Sequence, residues 1–161
     1  MKCQRRAALV VTATIAASAA GVAPAVATIQ PQVTATRYCT FRADIGVNPG
    51  TVVASFNCNS NYVSAGINAR AILDGSPGPQ VVASTPNNYG TNRSTLSTQK
   101  VGFNTAYGAS YHAESSADVD VGAGWTLSYA GAPNNYVNCQ QDSLNGHIWH
   151  CSVTGPSFTA A

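Results

Sequence analysis

Val63, Ala65, Ile67, Ala69, Ala71 and Leu73 alternate for eleven residues with Ser64, Gly66, Asn68 and Arg70. A period of two puts all six apolar side chains on one face of a strand and leaves no amphipathic helix to build. The same period recurs along the chain. Val33, Ala35, Cys39 and Phe41 share a face, as do Val52, Ala54, Phe56 and Cys58. No segment after residue 27 carries a useful 3.6-residue repeat. The chain is therefore expected to be all-β, an antiparallel sandwich of about eight strands with a barrel as the alternative.

The first 27 residues stand apart. Lys2, Arg5 and Arg6 form a basic head, Ala7 to Ala20 an apolar run, and Ala25-Val26-Ala27 a small-x-small cleavage site. This is the pattern of a secretory signal peptide. Residues 1–27 are expected to be removed, and 28–161 to form a single domain. The alanine-rich style of the leader suits a bacterial exported chain, and Arg5-Arg6 leaves the general secretory and twin-arginine routes both open. No cysteine follows the cleavage point and no second long apolar run occurs, so neither a lipid anchor nor a membrane span is expected.

Cleavage changes the charge and the cysteine count. Three of eight basic residues leave with the signal, so five face six acidic ones and the formal charge becomes −1. Arg37, Arg42, Arg70, Arg93 and Lys100 are scattered, and nucleic acid is not an expected partner. Cys3 also leaves, and the even set Cys39, Cys58, Cys139 and Cys151 reads as two disulfides in an exported chain. Residues opposite one another in an antiparallel pair lie on the same face. If Cys39 faces Cys58, Phe41 faces Phe56; if Cys139 faces Cys151, Val137 faces Val153. Both pairings keep apolar residues together, so Cys39–Cys58 and Cys139–Cys151 are expected.

Further along, a short strand is expected from Gln80 to Ala83 and a long loop over Ser84–Gln99, which is rich in Asn, Ser and Thr. Late strands follow near Val101–Ala113, Ala117–Tyr129, Asn135–Gln140 and His147–Thr154. A hairpin turning around Glu114, with loop Ser115–Ala117, would pair Tyr111 with Val121, Tyr107 with Trp125 and Phe103 with Tyr129. Its polar face would bring His112 opposite Asp120 and Glu114 opposite Asp118. One imidazole and three carboxylates could then hold a divalent cation or transfer protons. That cluster is the candidate for a small secreted hydrolase or toxin. The same alternating arm could instead be a stave of a pore-forming or surface-assembly β protein.

Other motifs argue against familiar chemistry. His147 and His150 with Cys139 and Cys151 could mimic a zinc site, but the spacing is wrong for a common finger, export favours the disulfide, and strand alternation would turn the two imidazoles to opposite faces. His112-Ala113-Glu114 matches half of a zinc-deaminase signature whose cysteine half is absent. No nucleophile elbow, His-Glu-x-x-His pair or phosphate loop occurs. No cofactor is expected. Asn92-Arg93-Ser94 fits the glycosylation pattern without further support.

A repeated Pro-Asn-Asn-Tyr, at Pro86-Asn87-Asn88-Tyr89 and Pro133-Asn134-Asn135-Tyr136, is echoed by Asn59-Ser60-Asn61-Tyr62. Amides offer paired donors and acceptors and tyrosine a flat ring with a hydroxyl, a combination suited to sugars or to a protein partner. Tyr62, Asn87, Asn88, Tyr89, Asn134, Asn135 and Tyr136 are the candidate binding residues. The expected role is a non-enzymatic extracellular binding or inhibitor module whose partner is a protein or a glycan.

Overall fold

The computed structural model describes residues 35–161. The expected leader, its cleavage point and Val33 lie outside these residues. Ten strands form one sheet, and no helix occurs among the described residues. They are β1 (Ala35–Val47), β2 (Gly50–Asp74), β3 (Gln80–Ser84), β4 (Asn88–Ser97), β5 (Val101–Phe103), β6 (Ser110–Asp120), β7 (Trp125–Gly131), β8 (Tyr136–Gln141), β9 (Ile148–Thr154) and β10 (Phe158–Thr159). The all-β expectation holds, with ten strands in place of eight.

The 25-residue β2 organises everything else. At ~3.3 Å per residue a straight strand of that length would run roughly 80 Å, well beyond a small domain, so it must bend. It does so between Asn57 and Tyr62, where the ladder to β4 shifts register. Before the bend the even residues Val52, Ala54, Phe56, Cys58 and Tyr62 are buried; after it the odd residues Ala65, Ile67, Ala69 and Ala71 are. Val63, expected inside, is therefore 50% exposed.

Each half of β2 gathers its own neighbours. The first half pairs with β1 and β5, the second with β6 and β3, and β4 follows the bend along both. Outward from these, β7 runs parallel to β1, β9 and β10 pair with β6, and β8 pairs with β9. The sheet then curls back until β7 approaches β8. There the Tyr129 hydroxyl donates to the Cys139 carbonyl, while on its other edge β7 stays tied to β1, the Ala132 amide donating to the Phe41 carbonyl. The result is one nearly closed barrel rather than two separate sheets.

Both disulfides form as parity requires. Cys39 lies opposite Cys58 with Phe41 opposite Phe56, and Cys139 opposite Cys151 with Val137 opposite Val153. The Phe41 and Phe56 ring centroids are 5.3 Å apart, and Phe56 and Tyr62 5.4 Å. Elsewhere the core mixes Val52, Ile67, Leu96, Tyr111, Val119, Val121 and Val153 with many alanines, Ala43, Ala54, Ala65, Ala69, Ala71, Ala113 and Ala117. Methyl groups bury little area each, so two covalent staples of about 3 kcal/mol apiece are a large share of the stability available to such a core. Two formed disulfides also fit an oxidising, extracellular setting.

Two local expectations fail. Ser84–Gln99 is not a loop: Thr85 and Thr98 bracket β4 and pin it to β2. Each threonine amide donates to the Ala69 or Ala54 carbonyl, and the same residue's amide donates back to the threonine hydroxyl. The hairpin around Glu114 does not exist either. β6 runs unbroken through Ser115–Ala117, paired on one edge by β2 and on the other by β9. The register pairing Tyr111 with Val121, Tyr107 with Trp125 and Phe103 with Tyr129 is replaced by a β7 parallel to β1. The odd parity holds along β6, where Tyr111, Ala113, Ser115, Ala117 and Val119 are all buried, but fails at Tyr107, 92% exposed ahead of the strand, and at Tyr129, 36% exposed on β7. Ser115 looked like a turn residue, but its hydroxyl is satisfied by donating to the Asn68 carbonyl at 2.6 Å. An interior strand paired on both edges is not the free arm a pore-forming reading needs.

Candidate functional site

Strand alternation and register build one broad polar surface on the outside of β4, β2, β6, β9 and β8. A rung runs from Tyr89 through Gly66 and Asp118 to His150 and Gln140. The next holds Asn68, Ser116, Ser152 and Asn138, with Asn68 donating to Asn87 at 3.0 Å. A third joins Arg70, Glu114, Thr154 and Tyr136. The middle rung presents the small Ser116 and Ser152, while the rungs on either side place Asp118 and His150, and Glu114 and Thr154, on the same two strands. Tyr89 on β4 is 70% exposed and Tyr136 on β8 is 72% exposed. Four interstrand spacings of ~4.8 Å put those two strands about 19 Å apart.

Two hollows open on this surface. One of about 350 Å³ is lined by Tyr89, Gly66, Asp118, Asp120 and Ile148. The other, of about 300 Å³, is lined by Asp118, Ser116, Ser152, Asn138, Gln140 and His150. They meet at Asp118. On β2, opposite Ser116, Asn68 Oδ1 is buried without a hydrogen-bond partner among the described residues. Gly66 is required here, since a Cβ would collide with the Tyr89 ring at 2.9 Å.

The histidines are all held by carboxylates through Nδ1. His112 lies 2.6 Å from Asp74, His147 2.8 Å from Asp120 and His150 2.7 Å from Asp118. His150 Nε2 also faces Asp142 at 3.2 Å, and His112 Nε2 faces Glu114 at 3.6 Å. The Asp118 and Asp142 carboxylates hold the His150 imidazole above its ordinary range. In turn His150 and the Asn145 and Leu144 amides hold Asp142 below the usual carboxylate range.

The expected cluster of His112, Glu114, Asp118 and Asp120 is thus dispersed. Because β6 is straight, His112 and Asp120 are eight residues apart on one strand, about 26 Å at ~3.3 Å per residue. His112 stays beside Glu114 at one end of β6, and Asp118 beside Asp120 at the other. No serine, threonine or cysteine is hydrogen-bonded to an imidazole among the described residues; the Ser157 hydroxyl contacts Asp74 at 3.2 Å. A nucleophile activated by a histidine base needs that contact. No group of three His, Cys, Asp or Glu side chains suited to a metal ion occurs among the described residues. The zinc mimic is excluded, since Cys139 and Cys151 are bonded to each other. His147, just ahead of β9, does reach the same face as His150, contrary to strand alternation, because it is not within the strand.

The asparagine-tyrosine motifs divide by role. Asn87 and Tyr89 lie on the polar surface, joined by an Asn87 amide donating to the Tyr89 hydroxyl at 3.1 Å. Asn88 donates to the Ser97 carbonyl within β4. Asn134 is a turn residue with φ of 64°, and Asn135 accepts from the Ala43 amide at 2.8 Å, tying the turn to β1. Tyr136 is free at the margin. Tyr62 is 1% exposed, its ring against Phe56, so it is a core residue unable to meet a ligand. Sequence reasoning did not single out Asn68, Ser116, Asn138, Gln140 or Ser152. Their signal was the polar half of each alternation, which says "outside" and nothing about which strands adjoin.

The fold and this surface define a class: a disulfide-stapled, all-β domain presenting a wide polar sheet face. Compared with family models, curated proteins and solved structures, the chain matches none. Its function is therefore read from the surface alone.

Proposed function

We propose that this chain is a secreted binding module that takes a neutral oligosaccharide across the outer face of β4, β2, β6, β9 and β8. The observation that carries this reading is the pair Tyr89 and Tyr136, both exposed at opposite margins of a surface of amides, hydroxyls and carboxylates. Sugar hydroxyls donate and accept at once. The exposed Asn138 and Gln140 match them with both functions, and Asp118 accepts. Aromatic rings at the margins suit the C–H faces of pyranose rings, while the small Gly66, Ser116 and Ser152 leave room for a sugar between the charged side chains. Binding is favoured over histidine-activated hydrolysis because each imidazole is occupied by a carboxylate and none faces a hydroxyl.

The test is calorimetric titration of the protein with neutral oligosaccharides, compared with Tyr89→Ala, Tyr136→Ala and Asn138→Ala variants. Wild-type binding weakened about tenfold or more by each tyrosine change, with the sugar recovered uncut, is the expected outcome; a tenfold change corresponds to about 1.4 kcal/mol. Equal affinity in all four proteins, or no affinity for any neutral glycan, overturns the reading.

A further inference from the structure

A second surface, on the first half of β2, has a different character. Outward residues of β1, β2 and β4 line a cavity of about 650 Å³ that includes Arg42, Arg93, Thr40, Ser55, Asn57 and Thr95. A cavity of about 600 Å³ beside it includes Arg42, Lys100 and Thr51. The two share Arg42 and Ala132, so they form one trough bordered by the 132–135 turn.

Charge is segregated between the two surfaces. Of the five Arg and Lys residues after position 34, three line the trough. Arg37 is buried and Arg70 stands on the other face. Asp44 is the one carboxylate lining the trough, and it is paired with Arg42 at 2.6 Å. The other five carboxylates are all gathered on histidines. Arg93 and Lys100 make no side-chain hydrogen bond or ion pair among the described residues. The basic residues that look scattered in sequence are thus brought together by β1, β4 and the segment after it.

We infer that this trough is a second binding site, for an anionic polysaccharide carrying carboxylate or sulfate groups. Arg42 and Arg93 offer planar donors that match either group, and Lys100 adds a point charge. Hydroxyls and an amide between them suit the intervening sugar. A single-stranded nucleic acid would need exposed rings for its bases to stack on. The ring in the larger cavity, Phe56, is 2% exposed, and Phe158 in the smaller one, 46% exposed, is a single ring where successive bases need successive rings, which favours the polysaccharide. This site does not depend on the neutral-glycan surface.

The experiment measures affinity of the protein for dextran sulfate, polygalacturonate, unsubstituted dextran and poly-dT across a range of salt. Tight binding to one or both charged polysaccharides, with a log–log salt slope of about −2 to −3 for three displaced charges, is expected. A sulfate-only or carboxylate-only result names the group. The R42Q/R93Q/K100Q protein should bind at least about tenfold more weakly. R70Q and the Tyr89→Ala and Tyr136→Ala variants should bind the polyanion unchanged, which separates this site from the other. All three substituted side chains point outward, so unchanged melting will confirm that the triple variant is folded. Wild-type affinity in the triple variant, equal affinity of the Tyr89→Ala/Tyr136→Ala protein for unsubstituted dextran, or poly-dT bound as tightly as both polysaccharides would overturn the inference.

Discussion

His150 on β9 directs its Nδ1 at the Asp118 carboxylate of β6, 2.7 Å away, and its Nε2 meets Asp142 at 3.2 Å. One imidazole therefore clasps two strands and the loop between β8 and β9. Asp142 also accepts from the Leu144 and Asn145 amides, so the clasp organises that loop.

The clasp has a defined pH window. His150 is raised above 6.5, so its contribution is complete below 6.5 and is lost as pH rises through the raised value. Asp142 is lowered below 3.8, so its contribution is present above 3.8 and is lost as pH falls through the lowered value. Loop order should be greatest between these limits. Imidazole NMR titration should place His150 above its ordinary value, and Asp118→Asn or Asp142→Asn should each bring it down. An unchanged value in both variants would refute the clasp.

Arg37 is an arginine on an otherwise apolar face. Its Nε donates to the Val121 carbonyl at 2.8 Å and its guanidinium lies 4.3 Å from the Trp125 ring centroid. Burial lowers its pKa, and Asp120 partly restores it. Arg37→Met removes the donor and the cation from the ring, and should lower stability by about 1–3 kcal/mol in urea unfolding. Arg37→Lys should not rescue it, since an ammonium lacks the planar Nε donor.

Gly155 sits with its α-carbon against the Ala43 carbonyl oxygen, while its amide donates to the Ala113 carbonyl at 2.8 Å. A methyl group there meets backbone that cannot swing aside. Gly155→Ala should destabilise by about 1–3 kcal/mol, whereas Gly75→Ala, with nothing within 4 Å, should stay within about 0.5 kcal/mol. Thermal melts of the two proteins compare them directly.

Cys139→Ser with Cys151→Ser should lower unfolding free energy by about 2–4 kcal/mol. Non-reduced peptide maps should contain the Cys39–Cys58 and Cys139–Cys151 peptides, and a Cys39–Cys151 peptide would contradict the register of both ladders.

Parity was legible because it is local: side chains two residues apart share a face whatever the strand pairs with. That rule placed Cys39 opposite Cys58, Phe41 opposite Phe56 and Val137 opposite Val153 from the chain alone. The repeated Pro-Asn-Asn-Tyr motif, not parity, marked Tyr89 and Tyr136 as candidates for exposure. Parity failed at Tyr62 and Val63, where the bend in β2 exchanges inside and outside. Three tyrosines in similar asparagine contexts then take different places.

What the sequence could not determine is where polar residues stop being turns. Ser115 continues a buried strand only because the Asn68 carbonyl, 47 residues away, accepts its hydroxyl. β4 is a strand only because Thr85 and Thr98 find the backbone of β2. Those partners are tertiary, and with them goes the site: a straight β6 separates His112 from Asp120, and gives each histidine its own carboxylates. The sequence by itself determined the strand period, the inward and outward sets and the two staples, since these follow from backbone geometry between near neighbours. Tertiary structure decided which outward residues adjoin, because that depends on which strands pair across the bend of β2.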